Sequence, residues 1–185
     1  MIRLHQKLEN SKTNGPGNRA VIWVQGCSLK CPGCFNPKTH DPNGGTETSI
    51  DEILDWICSL GDSIEGISIS GGEPLQQFKP VLALLQRIKH ETTLTTFLFS
   101  GYTKQEIESF PQWSELSDVL DVLLCGRYDI TQKQASGIVS SSNQEILFLS
   151  NHYTQADLDD IPDNELIIMP NGEIITSGVG GINLQ

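Results

Sequence analysis

Ile64-Glu-Gly-Ile-Ser-Ile-Ser70 runs straight into Gly71-Gly72-Glu73-Pro74, after which Val81, Leu82, Leu84, Leu85 and Ile88 recur at helical spacing. A short β-branched run, a glycine turn and an amphipathic helix make one strand-to-helix unit. Outward from it the unit repeats. Upstream, Arg19-Ala-Val-Ile-Trp-Val-Gln25 reads as a buried strand behind the turn-forming Asn14-Gly-Pro-Gly-Asn18. Ser49-Ile-Asp-Glu52 is a capping box, and it opens a helix carried by Ile50, Ile53, Leu54, Ile57 and Leu60 until Gly61. Downstream, Leu94 to Ser100 reads as a strand, Gly101-Tyr102 as a turn, Thr103-Lys-Gln-Glu106 as a second capping box and Val119 to Cys125 as the next strand. Such alternation predicts an α/β fold with a parallel sheet, right-handed crossovers and ligands at the C-terminal strand ends. Both glycine-rich turns fall at those ends.

Beyond Gly126 the pattern weakens to a stretch rich in Gln and Ser, a strand at Glu145 to Leu149 and an acidic segment from Thr154. A closing hairpin is predicted from Leu166-Ile-Ile-Met169 and Glu173-Ile-Ile-Thr176 around Pro170-Asn-Gly172. Residues 178–185 are expected to be a flexible tail. The 185 residues read as one domain, shorter than the roughly 250 of a closed eight-fold β/α barrel, so any barrel here is incomplete.

Twelve basic against 23 acidic residues give a formal charge of −11. After Lys133 there is no Lys or Arg, against seven acidic residues. This balance argues against nucleic acid or an anionic membrane as partner, since both require clustered cations. No apolar run approaches 18 residues, and the start lacks a secretory pattern, so a cytoplasmic protein is expected.

Three of the five cysteines crowd into Cys27-Ser-Leu-Lys-Cys31-Pro-Gly-Cys34, inside a loop from about Gly26 to Thr48 that is long enough to be functional. Three thiolates in one loop suit a soft metal centre rather than a disulfide framework. A three-cysteine [4Fe-4S] site leaves one iron open for a ligand, whereas a structural zinc site closes all four positions. Zinc completed by His40 or a distant cysteine is the competing reading. Cys58, beside Leu54 and Ile57, and Cys125, at a strand end, read as small buried hydrophobes. Trp23 and Trp56 read as core and Trp113 as a loop anchor.

These motifs resemble the radical S-adenosylmethionine superfamily, and within it the small activating enzymes of glycyl-radical proteins. The likeness is carried by Gly15-Pro-Gly-Asn-Arg19, Gln25-Gly-Cys-Ser-Leu-Lys-Cys-Pro-Gly-Cys-Phe-Asn-Pro37, Ser70-Gly-Gly-Glu-Pro74, Ser100-Gly-Tyr102, Gly126-Arg-Tyr128 and Ser140-Ser-Ser-Asn-Gln144. Two departures stand out. Gly33 replaces the aromatic residue that many members carry before the third cysteine, and Ile138-Val-Ser-Ser-Ser-Asn-Gln144 stands where the activases often have Arg-Gly-Ser-Ser-Asn-Gln.

The resemblance implies a partial TIM-type barrel in which Cys27, Cys31 and Cys34 hold a [4Fe-4S] cluster and S-adenosylmethionine chelates the fourth iron. It implies cofactor contacts from Gly71, Gly72, Glu73, Pro74, Ser100, Gly101, Tyr102, Phe35, Asn36 and Asn143, with no protein side chain as the catalytic group. Glu73 also reads as a charge at a helix N-terminus. Reductive cleavage would give a 5′-deoxyadenosyl radical that abstracts hydrogen from a polypeptide, with flavodoxin or ferredoxin as electron donor. The polypeptide is either a glycyl-radical enzyme or, alternatively, a ribosomally made precursor peptide; a non-enzymatic metal-binding module is the third reading.

Overall fold

The β-branched runs do become the central strands, and their alternating side chains separate the two faces of one sheet. The computed structural model describes residues 1–168, 172 and 174–178. Its strands are β1 (Ile2–Ser11), β2 (Arg19–Val24), β3 (Thr46–Thr48), β4 (Gly66–Gly71), β5 (Thr95–Ser100), β6 (Val122–Cys125), β7 (Glu145–Phe148), β8 (Asn164–Ile168) and β9 (Ile174–Gly178). The helices are α1 (Ile50–Ser59), α2 (Phe78–Glu91), α3 (Lys104–Glu108), α4 (Trp113–Asp118) and α5 (Gln155–Asp159). Among the described residues, seven strands pair in the order β3-β1-β2-β4-β5-β6-β7, and β8 pairs with β9. The four central strands are parallel. β1 joins β2, β3 joins β1 and β7 joins β6 antiparallel, so the fold is mixed α/β with a mostly parallel sheet.

Period two explains the packing. Ala20, Ile22, Val24, Ile67, Ile69, Leu98, Leu123 and Cys125 face the helices, where they meet the buried stripes of α1 and α2. Intervening positions face the other way: Phe97, Val122 and Leu124 pack with Ile138, Leu158 and Ile161. Arg19 lies on this second face, fully buried. Its guanidinium donates to Ser68 Oγ (2.8 Å), Thr95 Oγ1 (3.0 Å), Tyr153 Oη (3.1 Å) and the carbonyls of Pro16, Ile67 and Thr95. Burial lowers its pKa, and the hydroxyls and carbonyls satisfy the charge. Gly15 has φ +132° and presses against the Arg19 side chain, which is why that turn takes no side chain.

Both central capping boxes form as read, Ser49 with Glu52 and Thr103 with Glu106. Several boundaries shift. Val119 ends α4, and the strand that follows begins only at Val122; Trp113 opens α4 rather than anchoring a loop. Thr46–Thr48, expected within the long loop, pairs with Ile2–Leu4 as an edge strand. Cys58 is exposed, not buried, because it falls beside the apolar stripe of α1 rather than on it. Cys125 is buried as expected. Trp56 is half-buried with the Lys7 ammonium 4.6 Å above its ring, and Trp23 is half-buried and lines the cavity described below. Gly178, expected in the tail, pairs with Asn164 in the hairpin. Met169, Pro170, Asn171, Glu173 and residues 179–185 lie outside the described residues, and with them most of the expected hairpin turn and the rest of the tail.

At the N-terminal end of β6, the fully buried carboxylate of Asp121 receives Lys89 Nζ (3.0 Å), the Thr96 N–H (2.8 Å), Ser150 Oγ (2.6 Å) and His152 Nδ1 (2.9 Å). Burial alone would raise its pKa, but the donors from Ser150, Thr96 and Lys89 outweigh it and hold the group at about 2. Stability from this cluster is therefore present above the unfolded value near 3.9 and is lost as pH falls through about 2. Asp121→Ala strands those donors and is expected to cost about 3 kcal/mol, lowering Tm by about 6–12 °C in calorimetry. An unchanged Tm would remove Asp121 as the organiser of that corner.

Candidate functional site

The C-terminal ends of β2, β4 and β5 meet around one cavity of about 360 Å³. Its walls include Cys27, Cys31 and Cys34, the Ser70-Gly-Gly-Glu73 turn and Ser100-Gly101. Phe35, Asn36, Gly126, Tyr128, Ser140 and Gln144 complete that side. His5, Gln6, Thr13, Asn14 and Trp23 also line it, with Ile175 to Gly178 of the hairpin.

Backbone hydrogen bonds fix the cysteine loop to the strand ends. The Gly72 N–H donates to the Val24 carbonyl (2.8 Å) and the Glu73 N–H to the Gly26 carbonyl (2.9 Å). A Cβ on Gly72 would run into that Gly26 carbonyl, and one on Gly71 into the Val24 backbone. The two glycines are thus required by close approach, independently of any ligand. The loop then returns on itself: the Gly26 N–H reaches the Thr39 carbonyl (2.7 Å) and the Cys27 N–H the His40 carbonyl (3.2 Å). Gln25 braces this return from a buried position, its Nε2 donating to the carbonyls of Lys38 (3.1 Å) and Asp41 (2.8 Å). Gln76 adds a second brace through the Ser28 N–H (3.1 Å) and Ser28 Oγ (2.8 Å). Neither bracing role is readable from the motif alone, because a glutamine in a strand or helix has no single geometric meaning until its partners are placed.

Within the loop, the Cys34 N–H bonds the Cys31 carbonyl (3.2 Å), and Lys30 (φ +52°) and Gly33 (φ +72°) take left-handed backbone. A side chain at Gly33 would strike Ile130 Cδ1 (2.6 Å). Ile130 occupies the space that an aromatic there would need. The Phe35 ring instead meets Tyr128, with centroids 4.6 Å apart. All three cysteines are half-buried and free. Burial pushes the Cys27 thiol up from its ordinary value; a backbone hydrogen bond at Leu29 opposes this, and nearby Glu73 adds to it.

Glu73 is 1% exposed. Its Oε1 accepts from the Leu75 N–H (2.9 Å) and Ser100 Oγ (2.9 Å), and its Oε2 from the Gly101 N–H (2.6 Å). Burial drives this carboxyl up to about 7 against those donors. The helix-end reading of Glu73 is therefore realised, since it caps the 3-10 turn Pro74–Gln77, while it also ties the β4 turn to the β5 turn.

Of the ten cofactor contacts expected from sequence, Phe35, Asn36, Gly71, Gly72, Glu73, Ser100 and Gly101 line the cavity. Pro74, Tyr102 and Asn143 are not among its lining residues. Pro74 opens the turn that Glu73 caps. Tyr102 packs on Phe110 and lies under Arg127, whose guanidinium grips Glu106 at 2.6 and 2.8 Å. That hydrogen-bonded ion pair holds the Glu106 carboxyl at about 2. Asn143 holds the Arg127 carbonyl (2.8 Å) and Gln144 the Gly126 carbonyl (2.9 Å), so the Ser140 to Gln144 stretch supports the Gly126 turn.

Among the described residues no three His, Cys, Asp or Glu side chains gather as ligands of one ion, with His40 or otherwise. Cys27, Cys31 and Cys34 do all line the one cavity. This suits a cluster, in which each thiolate takes a different iron, better than a mononuclear site. Soft sulfur donors on one side and glycine backbone on the other fit a [4Fe-4S] group and a small zwitterionic ligand beside it.

The 4Fe-4S single cluster domain family matches residues 13–147. The chain is 32% identical over 152 residues to the anaerobic ribonucleoside-triphosphate reductase-activating protein of Escherichia coli (strain K12), covering 79% of this chain and 97% of that one. The protein of the same name in Vibrio cholerae is 34% identical over 140 residues, 72% of this chain and 88% of that one. The pyruvate formate-lyase-activating enzyme of Listeria monocytogenes is 29% identical over 160 residues, 82% of this chain and 62% of that one. Among solved structures, QueE from Escherichia coli aligns with a TM-score of 0.45 and 17% identity over 55% of this chain and 53% of that one.

Proposed function

The chain belongs to the 4Fe-4S single cluster domain family, and from that premise we propose that it activates an anaerobic ribonucleoside-triphosphate reductase by generating a glycyl radical on it. It is an enzyme of the radical S-adenosylmethionine type, with a [4Fe-4S] cluster and S-adenosylmethionine as cofactors. One observation carries the reading: the three cysteines, the Gly-Gly-Glu turn and the Ser-Gly turn line the same cavity. When bound, the two groups supply the electron and the sulfur to C5′ bond whose cleavage yields a hydrogen-abstracting species.

The protein binds and orients. Cys27, Cys31 and Cys34 hold the cluster, and the loop carrying them is fixed by Gln25 and by the Gly26 carbonyl under Glu73. Gly71, Gly72, Glu73, Ser100 and Gly101 form the opposite wall for the methionine end of the cofactor, and Phe35 and Asn36 flank it. Pro74, Tyr102 and Asn143 support that wall through the contacts described above. We read the mostly parallel sheet as an incomplete barrel in one domain, open on one side to a polypeptide rather than closed around a metabolite. The named relatives are activating enzymes, so this reading takes precedence over peptide maturation and over a bare metal-binding module. A flavodoxin or ferredoxin is the proposed electron donor and the cytoplasm the proposed location; among the described residues no helix is long and apolar enough to cross a membrane.

Anaerobic reconstitution tests the reading. About four irons per chain, 5′-deoxyadenosine formation with dithionite and S-adenosylmethionine, and a glycyl-radical spectrum on adding the reductase are expected. Zinc in place of iron, or no nucleoside, would overturn it; nucleoside with a mass loss in a peptide and no glycyl radical would transfer the activity to a peptide substrate.

A further inference from the structure

The cysteine loop, the Gly-Gly-Glu turn and the Ser-Gly turn account for one side of the cavity, but the proposed cofactor contacts leave the strand β1 side without a role. His5 stands there, and three observations give it one. The register of β1 against β2 slips between Leu4 and Gln6, so His5 sits in a β-bulge, the kind of irregularity that re-aims a side chain beside a binding site. His5 also lines the cavity. Its ring is chemically polarised by Gln25, in a way that the hydrogen-bond network determines.

Gln25 Nε2 donates to two carbonyls, those of Lys38 and Asp41. Carbonyls only accept, so the amide orientation is fixed and Oε1 is the atom 2.9 Å from His5 Nδ1. An amide oxygen only accepts as well. Nδ1 must therefore carry the proton, and in the neutral ring Nε2 is a bare lone pair. Among the described residues Nε2 has no hydrogen-bond partner. The tautomer so imposed is the opposite of the one that predominates for histidine in water, and it leaves an acceptor, Nε2, open to an incoming donor.

Exposure says where that donor comes from. The groups that would meet a ligand seated deep in the cavity are buried, Glu73 at 1% and Ser100 at 5%. His5 and Gln6 are exposed while still lining the cavity, so they stand at its rim. A macromolecular substrate must cross this rim, whereas a small cofactor seated at the strand ends need not touch it. We propose that His5 is a substrate-positioning residue whose Nε2 accepts a hydrogen bond from a backbone N–H of the polypeptide entering the cavity, with Gln25 setting its tautomer. The proposal rests on the activase reading above.

Histidine nitrogen NMR on the unmodified protein tests it first, the four histidines being assigned with a His5→Ala difference spectrum. In the neutral ring at pH 8, Nδ1 is expected to be protonated and Nε2 pyridine-like. Adding the anaerobic reductase shifts the Nε2 resonance, and adding S-adenosylmethionine alone does not. Kinetically, His5→Ala raises the KM for the reductase about fivefold with kcat maintained, the loss of one neutral hydrogen bond, and His5→Gln recovers part of it. A ring protonated on Nε2, an Nε2 that responds to S-adenosylmethionine alone, or an unchanged KM would each overturn the assignment. Failure of the activase reading is scored separately, by absence of 5′-deoxyadenosine from the wild-type enzyme, and His5→Gln supplies a second difference spectrum for the assignment should His5→Ala fail to fold.

Discussion

Cys31→Ala is expected to leave a folded protein that no longer assembles its cluster and makes 5′-deoxyadenosine only at background. Cys31 is half-buried on the cavity wall and is absent from both hydrophobic clusters. Its backbone carbonyl, not its thiol, holds the turn to Cys34. Alanine preserves that carbonyl and removes only the sulfur, so Tm of the cluster-free protein should move by less than about 1 °C, as for a surface change of a few tenths of a kcal/mol. Activity is another matter. Loss of a residue that merely supports a metal ligand already costs about 10–100-fold in affinity or turnover, and loss of a ligand should exceed that. Cys58→Ala is the matched control: Cys58 is exposed on α1 and outside the cavity, so iron content and turnover should match wild type. Iron and sulfide analysis with chromatographic detection of the nucleoside reads both variants. Wild-type nucleoside from Cys31→Ala would remove Cys31 from the ligand set.

Sequence alone reaches the parallel core and the two glycine turns because their signals are local. A β-branched run, a capping box and a glycine that must pack against backbone each announce themselves within a few residues. Strand β1 does not. Its bulges between Leu4 and Gln6 and between Leu8 and Ser11 break the two-residue alternation, so that Leu4 and Leu8 are buried with three exposed residues between them. β3 is three residues long, and its existence depends on pairing with Ile2–Leu4, a contact no local pattern records. Helix α4 is short and runs directly into the apolar residues of β6, so helical and strand periodicities merge at Val119.

At the site the division is similar. The cysteine spacing and the Gly-Gly-Glu turn are legible as chemistry, but the parts that hold them in place are not. Gln25, Gln76 and His5 act through partners 13 to 48 residues away in the chain. The absence of an aromatic at Gly33, which looks like a missing cofactor contact in sequence, has a steric origin: Ile130 fills that space and Phe35 turns to Tyr128. Tyr102 and Asn143, read as cofactor contacts, are engaged in holding the turns after β5 and β6.

Glu73 should have the largest effect of any residue outside the cysteines, and its effect separates into structure and pH. Three donors end on its two oxygens, from Leu75, Ser100 and Gly101. Glu73→Ala strands all three in a buried site at about 1 kcal/mol or more each, and it frees the Ser100-Gly101 turn from the Gly-Gly-Glu turn. A displacement of about 1 Å in such a wall costs about a hundredfold in turnover. Glu73→Gln keeps the volume but sets an amide NH₂ against an N–H or a hydroxyl, so it restores only part. The pH test is more specific. Burial raises the folded-state pKa to about 7, above an unfolded value near 4.3. A carboxyl raised in this way favours the folded state most below the unfolded value, and that advantage is lost as pH rises through about 7. Wild-type stability should therefore fall by up to about 3 kcal/mol between pH 4.5 and pH 8 on account of this group, and the fall should be missing in Glu73→Gln. Asp121 and Glu106, held at about 2, keep their charge in the folded protein across that range and add only a small slope of opposite sign near pH 4.5, common to both proteins. Urea denaturation of both proteins at several pH values measures the difference directly. Parallel curves would mean that the carboxyl is ionised in the folded protein throughout, held so by the N–H groups of Leu75 and Gly101 against the cost of burial.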